Sequence, residues 1–223
     1  MTYAVSRPVK SRARIRAFND ETAHQALTLA GWGKDREAFG FNKGQFSIID
    51  LVLAALRFTG PAEATIATWT AADADLRRTA ETLKCGQFKS VRWIVDRSFE
   101  ARQPAFCATM RELFGDDTIR TLASHAKFIL LKSDDWSVTI QTSMNLNFNK
   151  RIENFWIADD AELFSEFSAL VDDVFANQKA GESFGEAGRK AQAQTARLGR
   201  RKSADPFASV VSAATITALM PDT

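Results

Sequence analysis

The segment His125-Ala126-Lys127 places an imidazole and an ammonium two residues apart, at the head of the apolar run Phe128-Ile129-Leu130-Leu131. On a strand that spacing puts both side chains on one side. A neutral imidazole is a competent nucleophile toward phosphorus. An ammonium beside it can neutralise phosphate oxygens as charge builds in the transition state. A second polar pair, Ser143 and Asn145, has the same spacing where the next apolar strand should end. A hydroxyl and a carboxamide there could donate to the same phosphate. Glu153 opens the strand after that. A carboxylate holding the second ring N–H of His125 would fix its tautomer and raise its basicity. Singly, each residue has an ordinary reading: a hydrogen-bonded structural histidine, a surface lysine, strand-end and turn residues, an exposed acid. Together they could bind a phosphate beside a nucleophile.

Such a site needs a rigid frame, and the residues around it predict one. Ser47 to Asp50 reads as a capping box opening the helix IIDLVLAALRF, which Thr59-Gly60-Pro61 stops. ATIATWTAA, SVRWIVD and TIRTLAS read as strands, separated by the helical patterns ADLRRTAETLKCG and FEARQPAFCATMRELFG. HAKFILLK and WSVTIQT form two more strands around a turn at Ser133-Asp134-Asp135, and ENFWIAD a last one. In the closing helix DAELFSEFSALVDDVFANQ, residues Leu163, Phe164, Phe167, Leu170, Val171, Val174 and Phe175 form one apolar stripe. The expected fold class is α/β, a mixed sheet flanked by helices. The expected organisation is a basic N-terminal extension over 1–45, an α/β domain over 46–178 and a basic, poorly ordered tail over 179–223. The lead-in holds a candidate short helix at ETAHQALTLA. No internal repeat is visible.

The order HAK, TSMN, RIEN resembles the HxK, GSxN, E signature of the phospholipase D superfamily. It is most similar to the short, single-motif bacterial endonucleases of that group and to phage- and prophage-encoded relatives with a TSxNLN corner. The resemblance covers roughly residues 47–178. It implies metal-independent phosphodiester hydrolysis through a phosphohistidine on His125, with Lys127, Ser143 and Asn145 holding phosphate and Glu153 orienting the imidazole. It also implies a homodimer, because that chemistry uses two histidines and this chain has one motif. The other histidine, His24, lacks a following lysine and reads as structural. The pattern departs from the family at two places. Lys132 stands where an Asp five residues after the Lys is usual. Thr142 replaces the Gly before Ser143, and Thr does not easily take a positive φ.

Net charge is only +2, yet it is unevenly spread. Residues 1–45 carry eight Lys/Arg against four Asp/Glu, 46–178 fourteen against nineteen, and 179–223 seven against four. Basic ends around a folded centre are a footprint of nucleic-acid binding, and also of plain solubilising tails. Arg12, Arg14 and Arg16 in the first arm, and Arg197, Arg200, Arg201 and Lys202 in the second, are candidate phosphate contacts. The second arm is also a candidate for recruiting a protein partner. Thr68, Thr70, Asp96 and Arg97 fall near the carboxyl ends of expected strands, where ligands bind in α/β sheets, and Arg97 or Arg102 could contact a backbone phosphate. Surface ion pairs or caps are the plainer reading there. Trp69, Trp93, Trp136 and Trp156 read as core packing rather than base stacking.

Two cysteines, Cys85 and Cys107, read as buried thiols in a reducing compartment. No His/Cys/acid cluster points to a metal and no cofactor is expected. No apolar run is long enough to cross a membrane, and the basic N-terminus is not followed by an apolar segment, so the expected location is the cytoplasm. The leading reading is therefore a metal-independent nuclease acting on nucleic acid, with DNA as the first substrate to consider. A catalytically weak or inactive nucleic-acid-binding dimer on the same fold is the alternative. A phospholipase is disfavoured, since only the short segment FASVVSAATITALM is apolar enough to seek lipid.

Overall fold

The computed structural model describes residues 13–15, 23–147 and 150–181. Its strands are β1 (Ala13–Ile15), β2 (Glu37–Asn42), β3 (Ala62–Thr68), β4 (Phe88–Asp96), β5 (Ile119–Leu122), β6 (Phe128–Lys132), β7 (Ser137–Thr142) and β8 (Glu153–Asp159). The helices are α1 (Ala23–Leu29), α2 (Ile48–Thr59), α3 (Asp73–Lys84), α4 (Phe99–Arg102), α5 (Pro104–Phe114) and α6 (Ala161–Asn177). The strands form one eight-stranded mixed sheet in the order β1-β2-β8-β7-β6-β3-β4-β5. Pairs β3–β4, β4–β5 and β1–β2 are parallel; the other four are antiparallel. The expected α/β class, a mixed sheet flanked by helices, is what forms. Among the described residues no helix is long and apolar enough to cross a membrane.

The helix signals act as their chemistry requires. Ser47 Oγ accepts from the Asp50 N–H while the Asp50 carboxylate accepts from the Ser47 N–H at 2.7 Å, closing a capping box. Asp160 caps α6 through the N–H groups of Glu162 and Leu163. The α6 stripe covers one face of the sheet. Val171 and Val174 pack with Ala67, Ile94, Phe128 and Leu130, and Phe164, Phe167 and Phe175 border them. Trp93 and Phe155 point to the other face, where Phe114 of α5 and Phe46 ahead of α2 meet their rings.

Several sequence expectations are corrected. The sheet takes in residues 37–42, left above in the N-terminal extension, because β2 pairs with β8 along its whole length. Gly40 explains part of this fit: a Cβ there would lie 2.6 Å from the Phe155 ring. The helix expected over residues 99–115 is broken at Gln103 (φ −141°, ψ 64°). The residue before a proline is pushed out of the α region, and Pro104 then starts α5 as its first residue. Cys85 is exposed rather than buried. Cys107 is buried, which with the nearby Glu100 charge pushes its thiol up to about 11. Trp69 lies beyond the end of β3 and is half-buried, not core.

Candidate active site

One edge of the sheet collects the chemistry. The carboxyl ends of β2, β3, β4, β5 and β7 and the amino ends of β6 and β8 all lie there, since β6 and β8 run antiparallel to their neighbours. His125 and Lys127 precede β6, Ser143 and Asn145 follow β7, and Glu153 begins β8. Those three strands are adjacent and about 4.8 Å apart, so residues far apart in sequence come together.

His125 is not on a strand, as expected above, but in the loop before β6. Lys127 extends the ladder by one residue, its carbonyl accepting from the Thr142 N–H at 3.2 Å. Its ammonium turns back onto the histidine, donating to the His125 carbonyl at 2.7 Å and lying 3.1 Å from Nδ1. Lys127 is only 9% exposed. Burial pushes its ammonium below the ordinary lysine value, and the Glu153 carboxylate works against that shift. His125 itself is exposed, and among the described residues no hydrogen bond reaches its Nε2. An ammonium donating to Nδ1 selects the neutral tautomer with the proton on Nε2.

The corner after β7 is built by backbone pairing. Ser143 N–H donates to the Asn154 carbonyl at 3.1 Å, and the Asn154 N–H donates back to Ser143 Oγ at 3.0 Å. Ser143 Oγ also donates to the Glu153 carboxylate. Asn145 Oδ1 is buried without a partner, and among the described residues nothing bonds its amide nitrogen. Thr142 does not disturb this corner. Asp35 is the one non-glycine residue with positive φ among those described, so Thr142 carries no strain. Its hydroxyl donates to the Asn154 carbonyl at 2.6 Å and accepts from the Met144 N–H at 3.0 Å. Lys132 sits at the other end of β6, bonded to Ser137 Oγ at 2.9 Å, away from the site.

Two supports hold the corner, and periodicity marked neither as such. Asn42, 2% exposed, accepts from the Gln45 N–H at 2.8 Å and donates to Met144 Sδ at 3.4 Å. Nothing in the segment FGFN distinguishes it from any strand-end amide. On the other side Ala71 bridges to Leu146, and Thr68 Oγ1 donates to the Thr70 carbonyl at 2.7 Å within that support. Thr68 and Thr70 thus help shape the corner. Arg97 follows β4 at the same edge and is exposed, with no ion pair among the described residues. Arg14 is described only as a backbone position opposite Phe39. Arg12, Arg16, Arg197, Arg200, Arg201 and Lys202 lie outside the described residues.

A scan of the sequence against protein-family models finds no match, and neither does a search of curated proteins. Among solved structures, a phospholipase D family member, Nuc from Salmonella typhimurium, superposes with a TM-score of 0.48 at 16% identity, covering 65% of this chain and 97% of that one. Polyphosphate kinase from Porphyromonas gingivalis superposes with a TM-score of 0.46 at 12% identity, covering 65% of this chain and 26% of the kinase. At scores below 0.5 neither decides what this chain does, so function is argued from its own residues.

Proposed function

We propose that this protein is a phospholipase D-like phosphodiesterase that cleaves nucleic acid, DNA in the first instance, through His125 and without a metal. The observation that carries this reading is the exposed His125 ring, held at Nδ1 by a buried ammonium and open at Nε2. Beside it lie a serine–glutamate pair and an asparagine amide with no described partner.

In the arrangement described, an ammonium donating to Nδ1 leaves the ring neutral with its proton on Nε2, a resting state that is neither the nucleophile nor the acid. For attack the ring needs the other tautomer. A phosphodiester drawing the Lys127 ammonium onto its oxygens would free Nδ1; exchange with solvent then moves the ring proton from Nε2 to Nδ1, where the Glu153 carboxylate accepts a hydrogen bond from it. The Nε2 lone pair forms the bond to phosphorus, and the leaving oxygen takes a proton from a second ring in its imidazolium form, which is left neutral. Water then breaks the P–N bond, giving its proton to that second ring. With one motif per chain, the second imidazole is His125 of another copy, so the working unit is a homodimer paired through this face. The Asn145 amide donates to the phosphate oxygens, and the Ser143 hydroxyl does so on turning away from the Glu153 carboxylate.

Free cations at the same edge favour a polyanion. Lys43 follows β2, Arg97 follows β4 and Lys150 precedes β8, and none has an ion pair among the described residues. Asp50, Asp73 and Asp96, at the same edge, are each committed to an arginine. The basic arms would add salt-dependent, sequence-independent affinity.

The test is cleavage of plasmid and single-stranded DNA in EDTA by wild type and His125→Ala. Cleavage by wild type alone is expected. A variant that cuts as fast as wild type would sink the mechanism. DNA retention by both without cleavage would favour the non-catalytic binding dimer. Thr142 is unstrained and Lys132 lies at the far end of β6, so turnover decides between the two readings.

A further inference from the structure

The loop bearing His125 is fastened to one carboxylate by two separate routes. Asp96 ends β4, and its side chain is 12% exposed. Its Oδ2 accepts from the Ser124 N–H at 3.2 Å, and Ser124 Oγ in turn accepts from the Ala126 N–H at 3.1 Å. Those two bonds flank His125 in the chain. Its Oδ1 accepts from the Ser98 N–H at 2.9 Å and from the Ser98 hydroxyl, and lies 3.8 Å from the Arg102 guanidinium. Arg102 bonds Ser98 Oγ at 2.9 Å and the Trp69 carbonyl at 2.7 Å. Its guanidinium stands 3.6 Å from the centre of the Trp69 ring. The Trp69 ring meets the His125 ring at 5.3 Å between centroids, tilted by 57°. Arg102 reaches this place because the helix breaks at Gln103, ahead of Pro104, leaving Arg102 as the last residue of α4.

With Arg102 over its ring and His125 against it, Trp69 is neither a core residue nor an open stacking platform. We propose that Asp96 is a positioning residue for His125, acting through Ser124 on the loop and through Ser98, Arg102 and Trp69 on the ring. The functional part of this assignment rests on His125 as the reacting group; the structural part does not. Reaction geometry sets the need. An imidazole in an exposed loop has many orientations, and a reacting group must be held close to its line of attack. The Lys127 contact fixes one ring nitrogen, and the indole fixes the plane.

The experiment uses Asp96→Asn. A carboxylate accepts at both oxygens, whereas a carboxamide has one acceptor, so one route must release. The protein has two histidines, which makes the readout simple. His24 lies against Phe58 at 5.4 Å and serves as the internal reference. In imidazole NMR spectra, the His125 ring protons are expected to lose their displacement by the Trp69 ring current, and its lines to sharpen as the ring gains motion. His24 is expected to stay where it is. Arg102→Met, at an exposed residue, is the second variant and carries the same expectation for the ring route. Trp69→Phe should keep the displaced His125 signals, and Trp69→Leu should lose them.

On bis(p-nitrophenyl) phosphate, kcat is expected to fall on the order of tenfold or more, with KM changed less than about twofold. A purely structural Asp96 would lower the melting temperature and leave the His125 signals of the folded protein in place. His125 signals unmoved in both Asp96→Asn and Arg102→Met overturn the proposal. Absence of diester turnover by wild type would defeat the phosphodiesterase reading, while the NMR result would still decide the brace.

Discussion

Replacing Lys127 by methionine tests the site where function and stability pull in opposite directions. Methionine keeps an unbranched apolar stem of similar length and removes the ammonium. In the resting protein that ammonium is a burden. Its depressed pKa means that folding disfavours the charged form relative to the unfolded chain, whose lysine titrates near 10.5. The burden is fully present below the folded pKa and is relieved as pH rises from there towards 10.5. Lys127→Met should therefore hold or raise the melting temperature at pH 7. Catalysis should move the other way. A unit charge 4 Å from a phosphate oxygen at an effective dielectric of 20 interacts by ~4 kcal/mol. Only the part gained as charge builds in the transition state counts. About 2–4 kcal/mol, a loss of roughly 30- to 1,000-fold in kcat, matches what one oriented donor contributes elsewhere. The assay is diester turnover in EDTA beside a thermal melt of the same sample. Near wild-type kcat in Lys127→Met would refute the role of the ammonium. A large fall in melting temperature would refute the account of it as a buried cost. Wild-type activity should also decline on the alkaline side below the ordinary lysine range, and Lys127→Arg should push that decline upward where it retains turnover.

The remaining predictions concern the frame. Gly40→Ala brings a Cβ to 2.6 Å from the Phe155 ring. It should cost about 1–3 kcal/mol, the usual range for overpacking, read as a lower denaturation midpoint; an unchanged midpoint would show that the ring can move aside. Asp50→Ala removes one side of the capping box and the 2.7 Å ion pair to Arg78. A loss of about 1 kcal/mol is expected, mostly from the cap, because the ion pair is partly solvated. Burial raises the Asp50 pKa, but the Ser47 N–H and Arg78 outweigh it and leave it lowered. Its contribution should therefore be present above the ordinary carboxylate value and fade as pH falls through the folded one, measurable as a shrinking difference between variant and wild type in acid melts.

The residues of the proposed site and most of its frame are legible in the sequence because their chemistry is local. Spacing identified His125–Lys127 and Ser143–Asn145, alternation and turn residues marked the six strands from β3 to β8, and the 3.6-residue stripe marked α6. A capping box needs only three residues' separation, so Ser47 and Asp50 could be read directly. β2 could not, because a six-residue strand in a charged lead-in declares itself only through its partner β8. His125 sitting in a loop rather than on a strand is likewise hidden, since its two-residue spacing from Lys127 fits a strand equally well.

The sequence by itself determined which groups exist, the α/β class and the order in which the elements come. The tertiary structure decided which groups meet. Antiparallel pairing of β6, β7 and β8 brings His125, Ser143 and Glu153 to one edge, across separations that no local pattern encodes. It turned Lys127 onto Nδ1, left the Thr142 backbone unstrained, and carried Lys132 to the far end of its strand. It also joined Asp96, Arg102 and Trp69 behind His125. Propensity and periodicity act within a few residues, whereas hydrogen-bond ladders and ring contacts are settled by the packing of elements distant in the chain.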